Sequence, residues 1–416
     1  MEIEQGGRSA GTTGLRRPND RRLFQLLRRL GEASKAELAR RAQLTSTAVG
    51  TIIQALEQDG LVSPTGRRVE GQRGQPATLV SINPKGAFGI GVRLDRDAIE
   101  SILVDLDGEI IGRRVHDRLL PAPAETLALV VADIDALLAS LGKRERERER
   151  IAGIGVAQPY NLGAWLRELG LDSPSFAEWD RFDFGAALEH ATGLPVYAEN
   201  DGNAAAIAEL FYGCGRKYDD FLYVFMGPAI GAGIALGGTC VRGVSGNAGD
   251  IAVMPVPPSR LPSAPAPAGK WTMLLARASL NALVRHLRWH GETVDTHVDL
   301  GPFIRDGHPA VDEWLQDCVD ALAPALRSAH CMLDVPVVVL DADVDFGLID
   351  RLREALAREL RDTAPEARGV PEIVRGTFGS DAGAIGAASL PMFFNFSPRS
   401  EVLDSGNRII EETQHV

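Results

Sequence analysis

Cysteine is scarce in this chain: its 416 residues include only Cys214, Cys240, Cys318 and Cys331, none of them in a CxC or CxxC pair. That spacing supports neither a disulfide framework nor a thiolate metal site, and it points to a reducing, cytoplasmic compartment. The opening MEIEQGGRSAGTTGLRRPND lacks the apolar core of a signal peptide and has the composition of a disordered leader. Long hydrophobic runs are missing with one exception, the uncharged stretch Phe221–Val241, which is about as long as the roughly 20 residues needed to span a bilayer. Its glycines and Pro228 argue instead for a buried strand, a tight turn and a second strand, so no membrane partner is expected. No repeat with a period of about 20–50 residues is visible, which excludes a solenoid.

The chain does have length, apolar content and an uneven charge distribution. At 45% hydrophobic it can bury the cores of two or three lobes. Residues 1–80 hold 13 Lys/Arg against 8 Asp/Glu, and the remainder holds 31 against 48, so a head of net +5 precedes a body of net −17, together −12. Contact with a polyanion is therefore expected at the head alone.

The head reads as a winged helix-turn-helix over residues 18–83. Leu23, Leu26, Leu27 and Leu30 have the i, i+3, i+4, i+7 spacing of an amphipathic helix, which Gly31 ends. Ser34 with Glu37 opens a second helix carrying Leu38 and Ala39 inward; Ala42-Gln43-Leu44 makes the turn, and Thr45 caps a third helix that runs to Gly60. In that helix Val49, Ile52, Ile53 and Leu56 form the buried stripe. Ser46, Thr47, Gly50, Thr51 and Gln54 are left outside, a set of small and amide side chains that fits a major groove. A surface helix in a small helical cap would look the same. The segment after the third helix favours DNA: LVSPTGRRVEGQRGQPATLVSI reads as a two-stranded wing, with Arg67 and Arg68 near phosphates and Arg73 shaped to enter a minor groove.

After Asn83-Pro84 the pattern changes to apolar strands. AFGIGVRLD and AIESILVDLDGEIIGRRV suggest three antiparallel strands with a turn at Asp107-Gly108, followed by a helix from about Glu125 to Leu141. KRERERER, 143–150, is a solvated connector, and IAGIGVA is another buried strand. Glycine-bearing strands near Gly89 and Gly231 each open a strand-rich unit followed by helices, which suggests a duplicated α/β body with a cleft between its lobes.

The helix-turn-helix with its wing, ENDGNAAAIAE, GAGIALGG, AGDI and GSDAGAIGAA, in this order and spacing, resemble the ROK family of repressors, open reading frames and sugar kinases, from about residue 18 to 396. The resemblance implies an α/β fold: an N-terminal winged helix-turn-helix domain and then a duplicated actin-like, sugar-kinase body over 84–396, with residues 1–17 and 397–416 as tails. It implies a transcriptional regulator, expected to be a repressor of carbohydrate-utilisation genes that binds an operator as a homodimer, which pairs further into a tetramer in one version, and answers to a sugar or polyol.

In the kinase branch a carboxylate deprotonates the sugar and two glycine loops cradle the nucleotide, and by position that carboxylate is Asp201. Here Gly89-Ile90-Gly91-Val92-Arg93-Leu94-Asp95 stands where DxGGTK is usual, and Gly227-Pro228-Ala229-Ile230-Gly231-Ala232-Gly233 where GTGxGxG is usual. Asp341 and Asp343 replace paired glycines and would repel a triphosphate. No catalytic residue, cofactor or enzymatic activity is therefore expected; the rival readings are a sugar kinase that still binds DNA and a sugar-blind regulator whose body binds a protein. The family's zinc loop, a GH pair followed by CxCGxxGCxE, is replaced too: Val253 takes the histidine position and no cysteine lies between Cys240 and Cys318. No metal is expected, and His286, His290, His297 and His308 read as ordinary surface or core histidines. The resemblance assigns ligand contacts to Asn200, Asp201, Asp250 and, ahead of Trp179, Ser175. Asn200 is also placed to cap a helix starting at Asp201, and the sequence leaves both roles open.

Overall fold

The computed structural model describes residues 17–68, 77–141, 149–163, 176–267, 269–344 and 346–398. One compact unit is built from the residues up to Glu199 together with the segment from Ala384 onward, and the other from Asn200–Gly383.

The first unit begins with three short helices, α1 (Pro18–Leu30), α2 (Lys35–Ala42) and α3 (Ser46–Gln58), and a sheet in the order β1 (Glu32–Ser34), β3 (Ala77–Ile82), β2 (Val62–Arg68). The local signals act as the sequence reading requires. Gly31 ends α1 at φ 76°, the Ser34 hydroxyl accepts from the Glu37 amide, and the Thr45 hydroxyl accepts from the Ala48 amide. Gln43 makes the turn in the left-handed region at φ 54°. Leu23, Leu27, Leu38, Val49, Ile53 and Leu56 are buried, whereas Leu26, Leu30 and Ile52, expected in the core, are half-buried. Phe24 and Arg28 are buried in their stead, because α1 turns this side to the lobe beneath the head: Phe24 stacks on Phe396 at 5.3 Å and Arg28 donates to the Leu106 carbonyl at 3.2 Å.

That lobe is a five-stranded sheet in the order β6 (Ile110–Asp117), β5 (Ala98–Asp105), β4 (Phe88–Leu94), β7 (Ile151–Gln158), β8 (Val196–Asn200). β4, β5 and β6 run antiparallel as expected, with Gly108 in the turn at φ 93°. Helices α4 (Pro123–Ser140), α5 (Phe176–Trp179) and α6 (Phe184–Thr192) build its core around Ile90, Val92, Ile134, Ile154 and Phe176. The second unit has helix α7 (Asp201–Phe211) and a sheet in the order β11 (Thr239–Cys240), β10 (Ile230–Leu236), β9 (Phe221–Met226), β14 (Val337–Ala342), β15 (Glu372–Arg375). A two-stranded ribbon, β12 (Pro255–Val256) with β13 (Thr272–Met273), precedes helices α8 (Leu280–Trp289), α9 (Gly301–Arg305), α10 (Pro309–Leu333) and α11 (Phe346–Asp362). α12 (Ala382–Phe396) closes the described chain.

Within each five-stranded sheet the strand order relative to the chain is the same, third, second, first, fourth, fifth, with the first two strands antiparallel and the first and fourth parallel. The body is an internal duplication. The apolar stretch 221–241 resolves as the hairpin β9–β10 and the short β11, and among the described residues no helix is long and apolar enough to cross a membrane.

Candidate functional site

On α3 the side chains of Ser46, Thr47, Thr51 and Gln54 are exposed, and the opposite face is held in the core by Val49, Ile53 and Leu56. Gly50 lies between them, and a Cβ there would meet nothing within 4 Å, so the outer face is low and unobstructed. The Thr51 hydroxyl donates to the Thr47 carbonyl, a common helical resting state that leaves its oxygen able to accept. Arg67 and Arg68 lie on β2, paired with Thr78 and Ala77 of β3; Arg73 lies outside the described residues.

The ligand candidates of the second unit gather at the N-terminus of α7. Asn200 caps this helix: its Oδ1 accepts from the Gly202 amide at 2.9 Å, so the capping role the sequence left open is real. Asp201 is exposed, with Oδ1 2.7 Å from the same amide. Asp250 is exposed as well and accepts from Asn247 Nδ2 at 3.0 Å. Both aspartates are brought to one strand by their glycine neighbours. A Cβ on Gly202 would fall 2.3 Å from the Ala232 carbonyl of β10, and a Cβ on Gly249, at φ 94°, would fall 2.8 Å from the same oxygen. Asn203 joins the two segments by donating to the Gly246 carbonyl, and its own Oδ1 is buried with no hydrogen-bond partner among the described residues. Ser175 lies outside the described residues, while Trp179, its landmark, is buried and donates to the Pro121 carbonyl at 3.0 Å.

The glycines of β4 gain a role, and two sequence readings, of the aspartates and of the histidines, change. Gly89 and Gly91 seat a helix on the sheet: a Cβ at Gly91 would lie 2.5 Å from the Ala388 amide nitrogen of α12, and one at Gly89 2.6 Å from the Ala388 carbonyl. Asp341, read as a carboxylate facing the nucleotide position, is wholly buried and accepts from the Tyr223 hydroxyl and the amides of Ala342, Phe378 and Gly379. Its carboxyl is pushed upward by burial, and Asp343 instead meets His297 Nε2 at 3.1 Å.

Two of the four histidines read as ordinary come together. His286 and His290 stand one turn apart on α8, and both Nε2 atoms meet the same Glu313 oxygen, at 3.0 and 3.1 Å. An i, i+4 histidine pair was visible in the sequence; the glutamate that joins them comes from another helix. The residues at the family's zinc positions do not fit that ion. Val253 is more than half exposed, and the segment after β12 is secured by a buried ion pair, with Arg277 reaching Asp317 through two nitrogens at 3.1 and 2.6 Å and the Pro257 carbonyl at 2.8 Å.

Residues 89–392 match the ROK family model, and residues 16–63 match a winged helix-turn-helix DNA-binding family. The chain belongs to the ROK family. Among ROK and related proteins it is 24% identical over 247 residues to the xylose repressor of Bacillus subtilis (strain 168), covering 59% of this chain and 62% of that one. It is 27% identical over 323 residues to a glucokinase of Thermotoga maritima, covering 72% of this chain and 96% of the kinase. A crystal structure of a ROK family transcriptional regulator, a homologue of E. coli Mlc, superimposes with a TM-score of 0.65 at 21% identity over 94% of this chain and 98% of that one. At that identity the likeness is one of fold, and it extends through the winged head.

Proposed function

We propose that this ROK protein is a sequence-specific DNA-binding transcriptional regulator, a repressor of carbohydrate-utilisation genes, whose body binds a sugar or polyol without phosphorylating it. The observation that carries the reading is the outer face of α3, where Ser46, Thr47, Thr51 and Gln54 all stand in solvent on a helix locked by its other side. Arg67 and Arg68 of β2 supply phosphate contacts, and Arg73, which lies outside the described residues, a minor-groove contact. Two such heads in a homodimer read a palindrome with half-sites about one helical turn apart.

Asn200, Asp201 and Asp250 form the effector-binding edge, since carboxylates and amides accept from and donate to neighbouring hydroxyls. Relatives named as a xylose repressor and a glucokinase support a sugar as the ligand class. The absence of phosphoryl transfer is supported by the loss of the Thr and Lys of DxGGTK in residues 89–95 and of the Thr and one Gly of GTGxGxG in residues 227–233. Asp201 is then an acceptor for a ligand hydroxyl, and bound ligand shifts the operator affinity by favouring one state of the body.

Purified protein is expected to select a palindromic site from a random DNA pool and to release it when one sugar or polyol of a panel is added. The same ligand at about 100 times its Kd raises stability by about 2.7 kcal/mol, readable as a thermal shift. Failure to select any sequence overturns the DNA reading. If no sugar or polyol shifts the melting temperature, the body answers to a protein instead. ATP-dependent phosphorylation of a hexose, abolished by Asp201→Ala, makes the protein a kinase.

A further inference from the structure

We propose that His286, His290 and Glu313 form a binding site for a divalent transition-metal ion of the zinc type, at residues unrelated to the family's zinc loop. The two imidazoles share one face of α8 because their positions are four apart, and Glu313 approaches them from α10. Their three ligand atoms all lie within 4.8 Å of one another. With metal–nitrogen and metal–oxygen bonds of about 2.0–2.2 Å, a small inward movement seats an ion among them.

Three further features belong to a built site. The Ser263 hydroxyl lies 2.8 Å from His286 Nδ1; accepting a hydrogen bond from the Nδ1–H, it fixes the ring and leaves the Nε2 lone pair facing the ion. His286 is fully buried while Glu313 is 47% exposed, so the ion is gripped from the protein side and reached from solvent, with room for a water ligand. The donor set also chooses the metal. Two imidazoles and one carboxylate suit zinc and its neighbours, whereas calcium and magnesium want oxygen alone and copper(I) wants sulfur. His308 stands nearby, its ring 6.1 Å from that of His290, but its Nδ1 accepts the Ala310 amide at the start of α10. A bound ion clamps α8 to α10 and, through Ser263, holds the segment between β12 and β13. The same segment is pinned by Arg277 and by Arg285, whose Nε donates to the Ser263 carbonyl.

The test uses untagged full-length protein stripped with a chelator and titrated with Zn²⁺ by calorimetry and with Co²⁺ by visible absorption. One equivalent of each is expected. Trp289 lies 5.0 Å from the His290 ring and stacks 6.2 Å from His286, so Co²⁺ should quench a component of the tryptophan fluorescence that Trp289→Phe removes. Ser263→Ala should weaken binding by about 10–100-fold, and the surface replacements His290→Ala and Glu313→Gln should abolish it. Uptake unchanged in both of those variants, uptake lost on replacing the exposed thiol by Cys331→Ser, or no uptake of equimolar zinc by the wild type each overturns the proposal.

Discussion

Two acids of the second unit, Glu209 and Asp341, are wholly buried. Glu209, at the far end of the ENDGNAAAIAE segment, is fully buried and accepts from the Thr377 amide at 2.6 Å, the Thr377 hydroxyl at 3.0 Å and the Cys214 amide at 2.9 Å. Burial raises its pKa above the ordinary glutamate value, and these hydrogen bonds offset only part of the rise. A carboxyl raised in the folded state binds its proton more tightly folded than unfolded. Its contribution to stability is therefore complete below the unfolded pKa and is lost as pH rises through the folded value. Glu209→Gln retains an oxygen for the Thr377 amide and removes the titration. Calorimetry against pH should show a melting temperature that falls less steeply than in the wild type from the ordinary carboxylate range up through the raised value; parallel profiles would refute this. At the other end of α7, Asn200→Ala should cost about 1 kcal/mol through the lost cap. Asn200→Asp keeps the capping oxygen but loses the amide donor, so the melting temperature should hold without ligand while the effector-induced shift shrinks. An undiminished shift would confine Asn200 to capping.

Each lobe presses a helix of small residues onto glycine-bearing strands. In the first, α12 meets Gly91 of β4 and Gly155 of β7, and a Cβ at Gly155 would lie 1.9 Å from the Ala387 carbonyl. In the second, α7 meets β10, and a Cβ at Gly233 would lie 2.4 Å from the Gly202 carbonyl. Backbone atoms cannot move aside as a flexible side chain can, so Gly91→Ala or Gly155→Ala should destabilise by about 1–3 kcal/mol or more, seen as a lower urea midpoint. Gly231, with nothing within 4 Å of an added Cβ, is the control, and its alanine variant should unfold close to the wild-type midpoint. Equal effects at all three positions would show that helix approach is not what these glycines serve.

Across the whole molecule, charge and docking separate two tasks. The basic head, net +5 over residues 1–80, precedes an acidic body and is joined to its lobe by the Phe24–Phe396 stack, by Arg28 and by Arg21, which donates to the Ser397 carbonyl at 2.9 Å. DNA affinity should therefore depend steeply on salt. Arg67→Ala should weaken all sequences alike and lower the salt slope by about one. Thr51→Ala or Gln54→Ala should relax preference at one base position by about 1–3 kcal/mol. Binding titrations on operator and random DNA at several salt concentrations separate the two classes; no change in any variant would place the DNA-reading surface elsewhere.

Periodicity and local capping chemistry were enough to read the three helices of the head, the antiparallel start of the first lobe, the strand nature of 221–241 and the duplication, because each depends on residues close in the chain. The exposed face of α3 was legible for the same reason. Tertiary structure decided everything that depends on a partner distant in sequence. It gave Gly89 and Gly91 a helix from the far end of the chain and turned Asp341 inward onto Tyr223 and the amides after β15. It exchanged Leu26 for Phe24 in the core of α1 by bringing Phe396 beneath it, and it set Glu313 against two histidines that the sequence presents as unremarkable. A sequence specifies which side chains share a face of one element; which face meets which is settled only when the elements pack.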